Sequence, residues 1–105
     1  MSYCLIYTTT ASKKEANLIG KRLIELRLAA CVNILAKTES MYRWKGKVEK
    51  SAEWPIIIKT RKSHFSKVAK LIRKLHSYSV PSILQIPISR GEVTYLKWIQ
   101  NETRI

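Results

Sequence analysis

Between Leu28 and Thr60 the chain carries a strand pattern too long for a small domain to absorb. From Ala30 to Trp44 the residues divide with period two. Val32, Ile34, Thr38, Tyr42 and Trp44 share one face, and Cys31, Asn33, Leu35, Glu39 and Met41 the other. Lys45, Gly46 and Lys47 supply a reversal, and Val48 to Thr60 returns as the partner strand. Both arms exceed the usual strand of about 5–6 residues. A hairpin reaching past its own domain leaves backbone donors and acceptors open along an edge, which must be covered, charged or paired. Pairing with another copy meets that need, so the pattern predicts an oligomer. Pro55 cannot donate to the ladder and predicts a bulge or an edge position in the returning arm.

The flanking segments restrict the fold further. Tyr3 to Tyr7 is a short apolar run suited to a buried strand. Ser12 and Glu15 have capping-box spacing, and Ala16, Ile19, Leu23 and Leu26 then form a helical stripe. A second helix begins near Ser63, with Phe65, Val68, Ile72 and Leu75 keeping the three-four rhythm as far as His76. Ser77 to Pro81 breaks that rhythm, and Ile83 to Ile86 forms a strand closed by Pro87. Gly91 leads into a last helix, Glu92 to Gln100, whose Tyr95, Leu96, Trp98 and Ile99 must dock on its own sheet or on a neighbour. The order predicts an α+β fold, a ferredoxin-like βαββαβ sandwich with an extended hairpin between its second and third strands and a C-terminal helix. At 105 residues this is one domain, 1–105, large enough for a real core.

Charge and composition exclude several functions. Twenty Lys and Arg face seven acidic residues, all Glu, for a net charge of +13. Lys13, Lys14, Lys21 and Arg22 on the first helix, and Lys62, Lys67, Lys70, Arg73 and Lys74 around the second, fill positions left over by the apolar stripes. A solvated helix face accounts for them; a polyanion-binding surface is the competing reading. No helix-turn-helix, zinc finger or RNP-like motif is present, so nucleic acid is disfavoured as a partner, although the charge alone does not exclude it. No apolar run approaches the ~20 residues of a membrane helix. The N-terminus reads as a strand, not a signal peptide, and Cys4 and Cys31 form neither a CxxC pair nor a disulfide framework. Those features predict a cytoplasmic protein with no membrane association. There is no Asp, no P-loop and no GxGxxG, and a Cys31–His76 pair is the one conceivable nucleophile and base. The chain reads as non-catalytic, with no organic cofactor.

Cys4, Cys31, His64 and His76 are all the thiol and imidazole ligands available to a soft cation, and none has local metal-site spacing. Cys4 reads as core and His64 as surface. Cys31 reads either as a small buried hydrophobe or as a ligand, and His76 either as a helix cap or as a ligand.

Leu28 to Asn33 (LAACVN), Ser40-x-Tyr42-x-Trp44-x-Gly46, Glu53 ahead of Ile56 to Thr60 (IIIKT), His76 to Pro81 (HSYSVP), and Tyr95 to Ile99 (YLKWI) together resemble the CutA family, small proteins linked to tolerance of copper and other divalent cations. The resemblance covers nearly the whole chain. It implies a homotrimer whose hairpin arms join sheets between subunits, related to PII-type signalling proteins that bind effectors in inter-subunit clefts. It implies response to copper or another divalent cation, with Cys31 and His76, which lie in the matched motifs, as candidate metal ligands. The alternative is a small-molecule or anion pocket at an inter-subunit cleft. Tyr42, Trp44, Tyr78, Tyr95 and Trp98 would wall it, Lys59, Thr60 and His76 would be its polar contacts, and Glu53 a balancing charge. Packing of these aromatics in the interface competes with that reading. The loop HSYSVP departs from relatives that carry Pro after His and an acid after Tyr, which removes one hard-cation ligand.

Overall fold

The computed structural model describes residues 1–105. The elements run β1 (Tyr3–Thr10), α1 (Lys13–Glu25), β2 (Cys31–Ile34), β3 (Thr38–Trp44), β4 (Lys47–Arg61), a 3-10 turn (Lys62–His64), α2 (Phe65–Leu75), β5 (Leu84–Ile88) and α3 (Val93–Glu102). The strands pair antiparallel in the order β2-β4-β1-β5, and β3 pairs the outer half of β4. With β2 and β3 counted as one arm, this is the α+β ferredoxin-like sandwich the element order predicts.

One face of the sheet is closed. Cys4 and Ile6 of β1 and Ile56 and Ile58 of β4 meet Ala16, Ile19 and Leu23 of α1 and Val68 and Ile72 of α2 in a single buried cluster. Burying each of the larger side chains contributes about 1.5–3 kcal/mol, which fixes the sheet against both helices. Ser12 caps α1 by accepting the Glu15 N–H at 3.0 Å, and Glu15 returns the contact to the Ala11 N–H, also at 3.0 Å, in place of the amide of Ser12 itself. Leu26, expected in the apolar stripe, lies past the end of the helix and is partly exposed. Gly20 is buried instead, because a Cβ there would stand 3.2 Å from Val32 Cγ1.

The hairpin is long, as the alternation predicts, but it is not one continuous ladder. Cys31 to Ile34 lie opposite Lys59 to Ile56, and pairing then resumes with Thr38 opposite Glu53. Three residues, Leu35 to Lys37, therefore face two, Trp54 and Pro55: a bulge at the expected place. The Leu35 N–H reaches the Pro55 carbonyl at 2.9 Å, so the side of Pro55 that lacks a donor is turned toward the gap. The extra residue reverses parity. Val32 and Ile34 lie opposite Ile58 and Ile56 on the helix face, whereas Thr38, Tyr42 and Trp44 lie opposite Glu53, Glu49 and Lys47 on the other face. The sequence reading put all five on one face, and the bulge corrects it. At the tip, Lys45 (φ 50) and Gly46 (φ 80) close a two-residue turn in which both central residues are left-handed.

The opposite face is covered at one end only. Ile99 of α3 is fully buried, and the Arg61 guanidinium donates to Thr103 Oγ1 at 2.9 Å and to the Gln100 carbonyl at 2.6 Å, tying down the end of that helix. The last helix thus docks on its own sheet. Pro87 falls within β5, an edge strand, instead of closing it. His64 is not a surface residue: it is buried, with Nδ1 3.4 Å from the Leu28 carbonyl, and burial pushes its pKa down.

Candidate functional site

Beyond the bulge, the β3–β4 arm and the loop after α2 enclose an open cavity of about 540 Å³. That volume falls in the range of small-molecule sites, about 300–1,000 Å³. Parity explains its walls: Ser40, Tyr42 and Trp44 of β3 lie on the same face as Glu53 of β4, and residues 78–82 close the remaining side. Glu53 is only 7% exposed. Its Oε2 accepts the Tyr78 hydroxyl at 2.9 Å, and the Tyr42 and Ser51 hydroxyls are 3.2 Å apart alongside. Burial first, and then the hydrogen bond to Glu53, push the Tyr78 phenol up to about 12. Tyr78 is a proton donor here, held neutral by a carboxylate.

The loop is latched from its other end by α1. The His76 side chain has no exposed surface. Nε2 lies 2.7 Å from the Thr9 carbonyl and must donate to it, while Nδ1 accepts the Tyr78 N–H at 3.0 Å, which fixes a neutral ring. Glu15 accepts the Ser77 N–H at 3.0 Å and lies 3.6 Å from His76 Nδ1. Burial pushes the Glu15 carboxyl up, but hydrogen bonds from Ala11 and Ser77 outweigh it and hold the pKa below its ordinary value. The His76 ring does not cap the last carbonyls of α2; it ties the loop to β1.

The predicted site residues therefore separate into two groups. Tyr42, Trp44, Glu53 and Tyr78 line the cavity. Lys59, Tyr95 and Trp98 lie at the other end of the same face: Lys59 Nζ stands 5.5 Å from the Tyr95 ring centroid, and the Tyr95 and Trp98 rings are 5.5 Å apart. Thr60 joins neither group. It is fully buried on the helix face and donates to the Leu28 carbonyl at 2.7 Å. The sequence reading missed Thr9, Ser40, Met41, Ser79, Val80 and Ser82 in the cavity wall. Neighbourhood to Tyr42 and Tyr78 was the only available signal for five of them, and Thr9, on β1, had none.

The candidate metal ligands do not meet within one chain. Cys31 pairs with Lys59, whereas His76 is bonded to Thr9, which pairs with Pro55. Those two points on β4 are four residues, about 13 Å, apart. Both His76 nitrogens are already used, and Cys31 has one weak contact, to Asn33 Oδ1 at 3.9 Å. No group of three or more His, Cys, Asp or Glu assembles anywhere in the chain. The residues present do not fit an intrachain metal centre, which needs three or four converging ligands.

A ferredoxin-like sandwich with a projecting hairpin and a ligand-sized cleft at its root defines a small α+β protein built on a single antiparallel sheet. Residues 4–102 match the family of the CutA1 divalent ion tolerance protein, and the chain belongs to that family. The divalent-cation tolerance protein CutA of Archaeoglobus fulgidus is 46% identical over 94 residues, covering 90% of this chain and 91% of that one. A solved structure described as the periplasmic divalent cation tolerance protein CutA from the same organism superposes with a TM-score of 0.95 at 42% identity, over 97% of this chain and 99% of that one. Protein CutA 1, chloroplastic, from Oryza sativa is 39% identical over 100 residues, 95% of this chain but 56% of its own length. No helix here is long and apolar enough to cross a membrane.

Proposed function

We propose that this protein serves divalent-cation tolerance as a non-catalytic homotrimer, one domain per chain, in the cytoplasm, and that its working site is the cleft at the hairpin root. The observation that carries this reading is the contrast between a 540 Å³ cavity with a buried carboxylate and the lack of any converging metal-ligand set in one chain. Assembly is supported by uncovered apolar side chains: Leu84 and Ile86 on the open face of the edge strand are 57% and 49% exposed, and Met41 and Val48, on the opposite side of the projecting arm, are also exposed. Two unpaired cysteines support a reducing compartment, although relatives are named as periplasmic or chloroplastic. Light scattering after size exclusion should return three times the 12.2 kDa chain mass, and Ile86→Lys should lower it without loss of secondary structure.

A second reading rests on Cys31, which is partly exposed and has no strong partner. One thiol from each subunit could take copper where a single chain cannot. Calorimetric titration with copper and with zinc, under reducing conditions, on the native protein and on Cys31→Ser separates the readings. Tight saturable binding lost in the variant assigns the metal to the thiols; no binding in either leaves the cleft as the route to tolerance.

A further inference from the structure

Glu53 is a buried carboxylate with no cation. Twenty Lys and Arg side chains give this chain its charge of +13, yet none lines the cavity and none pairs with Glu53. The one ion pair between permanently charged side chains is Arg22–Glu25. One Glu53 oxygen accepts the Tyr78 hydroxyl; no side chain or backbone group bonds the other, which keeps access to solvent. A carboxylate that is nine-tenths buried is costly unless its charge is matched, and the chain withholds its abundant cations from this one place. Around it stand Tyr42, Trp44 and hydroxyl groups, with Tyr78 held protonated as a donor.

From the unpaired Glu53 carboxylate within an aromatic wall, we propose that the cleft binds a small organic ammonium ion, not an anion. The ammonium neutralises Glu53 and lies against the faces of Tyr42 and Trp44, while the serine hydroxyls receive polar groups on its body. An inorganic divalent ion is a poorer match, since one carboxylate and neutral hydroxyls fall short of the charged oxygen set that hard cations take. This inference rests on the cleft being the working site; of the small molecule or anion that the sequence reading offered, it keeps the small molecule and gives it a positive charge.

Choline, ethanolamine, dimethylbutanol (the uncharged isostere of choline) and inorganic phosphate are the probes, titrated into the assembled protein while the tryptophan fluorescence and the side-chain resonances of Trp44 and Tyr78 are followed. At least one ammonium should saturate the cleft and bind at least about tenfold more tightly than dimethylbutanol. Glu53→Gln should remove that preference, and Trp44→Leu should weaken the ammonium while phosphate stays inert in both. The comparison of choline with its isostere needs no variant, so it stands even if a substitution disturbs folding. Equal binding of dimethylbutanol, or phosphate perturbing Trp44 and Tyr78, overturns the charge assignment and keeps the cleft as a site. Silence from all four probes overturns both, as it would if a lysine of another copy already satisfied Glu53.

Discussion

Glu15 and Glu53 hold the same short loop from opposite faces of the sheet, and their surroundings differ in kind. Glu15, on the closed face, accepts from Ala11 and Ser77 and lies beside His76, so its charge is fully used. Glu53, on the open face, has the Tyr78 hydroxyl and nothing more. The closed face is otherwise packed with side chains of no exposed surface, whereas the open face carries half-exposed Tyr42, Trp44, Tyr95 and Trp98. The difference teaches a division of labour. Stability comes from the face that α1 and α2 cover, which leaves the other face free to keep an unmet charge and uncovered aromatics.

The largest expected effect is on the closed face. Ile58→Ala should lower stability in urea denaturation by about 2–5 kcal/mol, because Ile58 is fully buried between both helices and the cavity cannot collapse. Next is Glu15→Gln, expected to cost about 1–2 kcal/mol at neutral pH through its charge-assisted hydrogen bonds. Its folded pKa lies below the ordinary 4.5, so the unfolded chain binds more protons between those two values. The stabilisation is therefore complete above pH 4.5 and is lost as the pH falls through the folded value, and the variant should converge with the native protein in acid.

Thr8→Val addresses the one blemish on the closed face. Thr8 Oγ1 is buried without a hydrogen-bond partner, and an apolar isostere should raise stability by about 1 kcal/mol. Lower stability would mean that a buried water satisfies the hydroxyl.

How far these two faces were legible in the sequence varies by element. The α1 stripe and its cap could be read because their signals are local, three and four residues apart, and Ala16, Ile19 and Leu23 are buried as expected. The second task of Glu15, holding Ser77, joins residues 62 apart and left no local trace. Period two showed the hairpin but not the parity reversal at Leu35 to Lys37, since one inserted residue leaves each half alternating correctly. Pro55 gave the only warning. The resemblance grouped Lys59, Tyr95 and Trp98 with Trp44 at a cleft between subunits; within one chain they occupy the far end of the sheet, a separation that no local pattern records.

The smallest effect on stability belongs to Glu53→Gln, and it is the sharpest probe of the comparison. Removing an unpaired buried charge should move stability by no more than about 1 kcal/mol, because the lost hydrogen bond to Tyr78 is offset by relief of desolvation. The phenol should respond far more. Burial raises the Tyr78 pKa and Glu53 raises it further, to about 12, so an ultraviolet titration of the native protein should show one tyrosine ionising there. In Glu53→Gln that step should fall back toward the ordinary value of 10, with burial alone holding it above. Since the folded value exceeds the unfolded one, the Tyr78 contribution is present below pH 10 and fades as the pH rises through about 12. If the step stays where it was, burial and not Glu53 sets the phenol's value. The two carboxylates would then differ only in how much protein surrounds them.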